Sequence, residues 1–351
     1  MHILQNVKRM YSRFGSKSFN NICEEALQFI ERIRAYKDFQ LIKAHLNGFD
    51  SRDKINYWLE LLEKVVVKKV PNFSNSLGLD FGCWSGFGSW LLSMFGPKHI
   101  FAIDINESFV RFARTWARDL KLERITFIAN SYKTIPLLSE SIDWIYINQV
   151  FCNMNPEYFE YTISEICRVL KPRGKLLFCD SNNPYCPETL ERLKKNYRQR
   201  ELGDGTSENP NGPLFKSRCR FISELAPDLN QEIVKRLAKN TCYLWGYKLE
   251  YAINNYLVNG VEPISPFRDS LEKAPLQPNY GGGAGNITDP FWFLTQFEKG
   301  GIQNYITTNT DLEPTDSSEL FKLLNKSQGF FIFGTKSSNP KYANFGKEAT
   351  L

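Results

Sequence analysis

Apolar positions along the chain follow different rhythms in successive stretches. Ile22, Ala26, Phe29, Ile30 and Ile33 recur at helical spacing, and Ile55, Trp58, Leu59, Leu62, Val65 and Val66 do so again before Pro71. Residues 18–70 are therefore expected to be helical. From about 75 to 180, short apolar runs alternate with amphipathic stretches. Phe109, Phe112, Ala113 and Trp116 mark one helix, and Ile163, Ile166 and Leu170 mark another before Lys171 and Pro172. Strands alternating with helices of this length predict a parallel sheet with crossover helices, an α/β fold.

The next hundred residues break that alternation. Helices are expected near 187–200, 227–241 and 245–259, separated by irregular stretches at Gly203–Pro213 and at the proline-rich 262–280. The run Asn279-Tyr-Gly-Gly-Gly-Ala-Gly285 cannot hold regular structure and reads as a mobile loop. Alternation then resumes, with a helix over Asp289–Phe297 and strands over Ile302–Thr307 and Gly329–Phe333. This divides the chain into a helical segment or lid (1–74), a core (75–180 and 289–336), an inserted helical cap (181–288) and a polar tail (337–351) expected to be disordered.

The candidate chemistry lies at Leu77-Gly-Leu-Asp-Phe-Gly-Cys-Trp-Ser-Gly-Phe-Gly-Ser89, followed by a second acid at Asp104. The stretch reads as a strand ending in an acid, a glycine turn and a helix opening. Gly82 permits a sharp turn at positive φ. Gly86 and Gly88 are expected to leave the helix start bare, so that its amide groups can meet a carboxylate. Asp80 can brace the turn or face a cationic ligand end. Asp104 falls where the neighbouring strand should end, the position of a ribose-binding carboxylate in a doubly wound sheet. A dinucleotide fingerprint requires G-x-G-x-x-G, and the spacing from Gly82 is G-x-x-x-G-x-G. The acid two residues before Gly82 favours S-adenosylmethionine over NAD.

With those residues in view, the chain resembles the class I S-adenosylmethionine-dependent methyltransferases, small-molecule type, over about residues 75–180 and a C-terminal piece. Ile142-Asp-Trp-Ile-Tyr-Ile-Asn-Gln-Val150 is similar to the family's fourth strand. Ile166-Cys-Arg-Val-Leu-Lys-Pro-Arg-Gly-Lys-Leu-Leu-Phe178 is similar to its helix-turn-strand before the fifth. The resemblance implies a doubly wound, seven-stranded, mostly parallel sheet with S-adenosyl-L-methionine as cofactor. It implies cofactor contacts from Asp80, Gly82, Cys83, Gly86, Asp104 and Ile105, adenine contacts from Asn130 and Ser131, and Asn148 and Gln149 beside the methyl group. Trp84 departs from the family at the loop's middle glycine, so its ring must point away from the cofactor or stack near it.

Composition changes this picture little. Hydrophobic residues make up 42% and aromatic residues 14% of 351 residues, ample for a packed core. The net charge of +6 is a mild bias, compatible with an anionic substrate or a membrane surface and equally with neither. The densest basic run, Arg192–Arg200, reads as the polar side of a helix, so nucleic acid is not expected as a partner. The eight cysteines form no C-x-x-C pair and no zinc spacing, and read as small hydrophobes in a reducing compartment. No apolar run has the roughly 18 residues that span a bilayer. The first acid is Glu24, preceded by Lys8, Arg9, Arg13 and Lys17. A lid or a plain basic segment is favoured there over an organelle transit sequence, and the cytoplasm is the expected location.

Methyl transfer from a sulfonium needs orientation and water exclusion more than side-chain chemistry. A base is required only where the acceptor must lose a proton. His45 and Asp180 are the candidates for that role, whereas His99 is expected to be structural and lies away from the site. The insertion's aromatics, Tyr243, Trp245, Tyr247, Tyr251, Tyr256, Phe267 and Tyr280, divide between two readings. They form the cap's own core or a homodimer interface, or they wall a pocket for a sugar, lipid or other small acceptor. The expectation is thus methyl transfer to a small molecule. The alternative is a catalytically silent relative that uses the cofactor fold as a binding or partner module.

Overall fold

A computed structural model describes residues 24, 26–28, 30–32, 51–131, 133–154, 156–202, 212–242, 244, 246–265, 286–308 and 312–338. Its centre is a seven-stranded sheet in the order β3-β2-β1-β4-β5-β7-β6. The strands are β1 (Leu77–Phe81), β2 (His99–Asp104), β3 (Ile125–Ala129), β4 (Ile142–Asn148), β5 (Leu170–Ser181), β6 (Ile302–Thr307) and β7 (Gly329–Lys336). The first five run parallel, and β7 lies antiparallel between β5 and β6. The chain builds outward from β1 to β3, then returns to place β4 on the other side of β1. That reversal opens a crevice at the carboxyl ends of β1 and β4.

Both sheet faces are covered, which is why the strands read as apolar runs rather than alternating ones. On one face pack α1 (Arg52–Leu62), α2 (Phe87–Met94) and α3 (Glu107–Asp119). Ile55, Leu59, Trp90, Phe112 and Trp116 meet Ile100, Ala102, Trp144 and Tyr146 there, joined by Ala26 and Ile30 from helical residues further upstream. On the other pack α4 (Phe159–Val169) and α9 (Pro290–Lys299), whose Ile163, Ile166, Phe293 and Phe297 meet Leu79, Ile145, Ile147, Leu176 and Phe178. Successive residues of β4 serve alternate faces, as a strand requires.

The helix starts follow capping chemistry. Ser51, Asn106 and Asp289 accept first-turn amide bonds at the heads of α1, α3 and α9. α1 passes into a π-helical turn at Glu63–Val67, closed by Lys68 N–H donating to Glu63 O over 2.9 Å. Gly78 lies under the Trp144 ring, where a Cβ would sit 2.0 Å from it. Trp144 Nε1–H donates to Ser76 Oγ at 2.8 Å, and its ring stacks on Phe73 at 5.4 Å.

Between β5 and α9 the chain forms α5 (Pro187–Leu202), α6 (Pro213–Leu225), α7 (Gln231–Asn240) and α8 (Gly246–Asn259). Three of these meet the expected helices, and α6 was not expected. Pro213 begins α6 instead of ending an irregular stretch: it occupies the first turn behind Gly212, where a missing N–H costs nothing. Ile222, Val234, Leu237, Leu249 and Ile253 give α6–α8 a small core of their own. Tyr256 packs on it, while Tyr251 is exposed. The glycine-rich run Asn279–Gly285, the proline-rich stretch from Pro266 onward, His2, His45 and the tail beyond 338 lie outside the described residues, as do the side chains of Tyr243, Trp245, Tyr247, Phe267 and Tyr280.

Candidate functional site

At the tip of β1 the chain turns through Gly82, whose φ is 82°. The turn is tied to β2 because Gly82 N–H and Cys83 N–H both donate to Ile103 O, at 2.8 and 3.0 Å. A side chain at Gly82 would also meet Val150. Gly86 has φ 82° as well, and a Cβ there would strike the Phe127 ring at 2.3 Å. This corrects the expectation for Gly86. Its bareness serves backbone conformation and packing under the loop, and it does not line the cavity beside the loop. Gly88 is the position open on the ligand side: a Cβ added there would meet no atom within 4 Å. No side chain caps α2 at Gly86, so the amide groups of its first turn face the crevice end of the helix.

Asp104 closes the opposite side. Its Oδ1 accepts from Asn106 N–H at 2.8 Å and its Oδ2 from Trp84 N–H at 2.9 Å. Trp84 reaches that contact with φ 55°, an uncommon conformation for a bulky residue. Its half-exposed ring meets Phe109 edge-on at 6.0 Å, and both residues border the crevice. Asp80 is buried beneath the loop and accepts from Ser89 Oγ at 2.5 Å. Burial, with Asp104 nearby, pushes the Asp80 carboxyl up to about 6 although the Ser89 bond opposes the shift. Burial also raises Asp104, against the pull of its backbone partners.

A cavity of about 750 Å³ occupies the crevice, and every expected site residue except Gly86 lines it. Asn130 lines it through a loop it helps to hold: its side-chain NH2 donates to Ser131 O at 3.0 Å and also to Thr134 O. Gln149, at φ 54°, anchors its N–H on Cys179 O at 2.8 Å. The outer wall is Trp58 and Leu62 of α1 with Phe87 of α2. Among the described residues, none of the insertion lines this cavity, so the roof seen here comes from the N-terminal side alone.

Residues 73–240 match the family model for a methyltransferase domain, and this span contains the loop, both acids and all of the crevice lining except Trp58 and Leu62. Over that span the chain is similar to methyltransferase domains. It is 32% identical over 34% of its length to a malonyl-(acyl-carrier protein) O-methyltransferase from Methylococcus capsulatus, covering 41% of that protein. It is 28% identical over 31% of its length to a demethylmenaquinone methyltransferase from Listeria welshimeri, covering 46% of that one. The chain thus spans less than half the length of these curated relatives. A crystal structure of an S-adenosylmethionine-dependent methyltransferase from Mesorhizobium loti aligns over 79% of this chain and 100% of its own, with TM-score 0.41 and 12% identity.

The crevice fits the methyltransferase cofactor, S-adenosylmethionine. Gly88 leaves room for close approach to the uncapped start of α2, which favours a carboxylate. Each Asp104 oxygen holds one backbone amide and keeps lone-pair capacity for a ribose hydroxyl. Cys83 and Cys179 are raised by burial and remain thiols. Among the described residues no three metal-ligating side chains converge.

His99 and Asp180 stand outside this crevice. His99 sits at the start of β2, its Nε2 2.8 Å from Thr126 Oγ1, away from the cavity as expected. Asp180, expected as a candidate base, is a correction. It shares strand parity with Leu176 and Phe178, so its carboxylate enters the opposite layer, where it accepts from Ser181 N–H at 2.7 Å and Cys152 N–H at 3.2 Å. It is 1% exposed, does not line the cavity, and burial pushes it up to about 7. Tyr146 was missed in the sequence. It stands beside Asp80 in the β1–β4 register, is 5% exposed and lines the cavity. Only the pairing of two strands distant in sequence brings it there.

Proposed function

We propose that the chain catalyses S-adenosylmethionine-dependent methyl transfer to a small-molecule acceptor. The observation that supports this reading is a cradle and a chamber in one cavity, lined by Asp80, Gly88 and Asp104 and also by Trp58, Leu62 and Phe87. When bound, the cofactor supplies a methyl group already activated on its sulfonium for in-line displacement by the acceptor.

The protein's part is binding, orientation and exclusion of water. Asp104 and Ile105 hold the ribose and the adjoining base edge, with Asn130 and Ser131 along the adenine. Gly82 and Cys83 carry the loop past the cofactor, with Gly86 bracing it from below. Asn148 and Gln149 border the transfer point. Trp58 and Leu62 shield it from solvent and give the acceptor an apolar surface, which suits a small organic molecule. We assign the lid role to the 1–74 segment, the cofactor core to 75–180 with 289–336, and a supporting role to the 181–288 insertion. The relatives named above are, by their names, methyltransferases of malonyl-(acyl-carrier protein) and of demethylmenaquinone. Organic acceptors of that kind support the acceptor class.

Isothermal titration with S-adenosylmethionine and S-adenosylhomocysteine tests the cofactor reading, and transfer of labelled methyl into fractionated extract tests catalysis. Binding with transfer to a low-molecular-weight product is the expected result. Binding with no transfer to any fraction would replace this reading with the silent-module alternative, and no binding would remove both.

A further inference from the structure

We infer that Tyr146 is a cofactor-binding residue, its hydroxyl joining the Asp80 carboxylate in holding the amino-acid end of S-adenosylmethionine. The inference rests on the cofactor reading above and names a contact within it.

Tyr146 and Asp80 are register partners on neighbouring parallel strands, so their side chains leave the same sheet face side by side. Both line the cavity, and both are at least nine-tenths buried. Among the described residues the Tyr146 hydroxyl has no hydrogen-bond partner, in a cavity that Trp58, Leu62 and Phe87 also line. A buried tyrosine hydroxyl usually finds a partner. A hydroxyl facing a cavity beside a carboxylate has its partner in the ligand.

The ligand's chemistry matches. Its amino-acid end carries one ammonium and one carboxylate. The uncapped start of α2 attracts the carboxylate. That leaves the ammonium for an acceptor pair, and Asp80 with Tyr146 is the pair on the adjacent strand ends. Burial keeps the Tyr146 hydroxyl protonated throughout the physiological range, so its oxygen lone pairs accept from the ammonium and its proton is free to reach the ligand carboxylate. One residue thereby spans both charges.

Two ligands separate this contact from a structural role. S-adenosylhomocysteine carries the amino-acid end, and 5′-methylthioadenosine lacks it while keeping the ribose and adenine. In titrations of the full chain, Tyr146→Phe should bind S-adenosylhomocysteine about tenfold or more weakly, the loss expected for a hydrogen bond to a charged group. Its affinity for 5′-methylthioadenosine should stay that of the unmodified protein. A similar loss for both ligands, or for neither, overturns the inference. The unmodified protein offers a check that needs no variant: S-adenosylhomocysteine without its α-amino group should bind about tenfold or more weakly than S-adenosylhomocysteine itself, and equal affinity with and without that group also overturns the inference. Failure of the unmodified protein to bind either nucleoside would instead remove the cofactor reading itself, and this inference with it.

Discussion

Trp84 donates its backbone N–H to Asp104 Oδ2 across 2.9 Å, so the residue that breaks the glycine pattern also orients the Asp104 carboxylate. The contact uses only the main chain of Trp84 and does not depend on its ring. The ring packs edge-on against Phe109 at the border of the crevice.

Replacing Trp84 by glycine should therefore be tolerated by the fold. A left-handed conformation that is strained for tryptophan is free for glycine, worth about 1 kcal/mol, against modest packing of a half-exposed ring. The melting temperature of Trp84→Gly should equal or slightly exceed that of the parent. A fall beyond about 5 °C, more than the strain term can offset, would mean the ring is a structural element.

Asp104→Ala removes the acceptor for two backbone amides and, on the proposed function, for two ribose hydroxyls. Two charge-assisted hydrogen bonds at about 1.5–3 kcal/mol each predict at least a hundredfold loss of S-adenosylhomocysteine affinity. Titration calorimetry reads it directly, and an unchanged dissociation constant would remove Asp104 from the site.

Cofactor affinity should depend on pH through Asp80. A carboxyl pushed up to about 6 is mostly neutral at pH 5 and mostly ionised at pH 7, and only the ionised form attracts an ammonium. The ligand's α-amino group stays charged over this interval. Affinity for S-adenosylhomocysteine should therefore rise about tenfold from pH 5 to pH 7. A flat profile would place the ammonium elsewhere.

Stability should move the other way. Asp180 titrates near 7 in the folded chain against an ordinary value of 3.8. The folded state thus holds a proton that the unfolded chain has already lost. The stabilisation from that proton is complete below pH 3.8 and is lost as pH rises through about 7. Asp80 contributes with the same sign up to about 6. Without ligand, Tm should fall from pH 5 to pH 8, and Asp180→Asn should flatten that slope, since the amide keeps an acceptor for the Cys152 and Ser181 amides without a charge to expel. An equal slope in the variant would contradict this.

Gly78→Ala tests the sheet beneath the site. Its methyl would lie 2.0 Å from the Trp144 ring, and the ring is held by Ser76 and Phe73. Overpacking of this kind costs about 1–3 kcal/mol or more, read as a lowered urea midpoint with an unchanged slope.

Much of this architecture is legible in the sequence, because the strands are continuous apolar runs and the glycine loop stands between two acids at the spacing of neighbouring strand ends. Asp80 and Asp104 are identifiable from local order alone. Tyr146 is not, since its importance follows from the register of β1 on β4, which no local pattern reveals. Asp180 is readable in principle: counting by twos from Leu176 and Phe178 sends its side chain to the layer of α4 and α9. The aromatic content of the insertion suggests a roof, yet Ile222, Leu237 and Leu249 turn α6–α8 inward on themselves. Helix α6 escapes notice because a proline that opens a helix looks, in isolation, like one that ends a loop.

Trp58 and Leu62 precede residue 73, where the match to the methyltransferase family begins. The nucleoside grip and the surface opposite it therefore come from separate stretches of polypeptide. Change in the upstream helix can reshape what the chamber admits while the grip is kept, so acceptor preference in this protein can diverge without disturbing its donor.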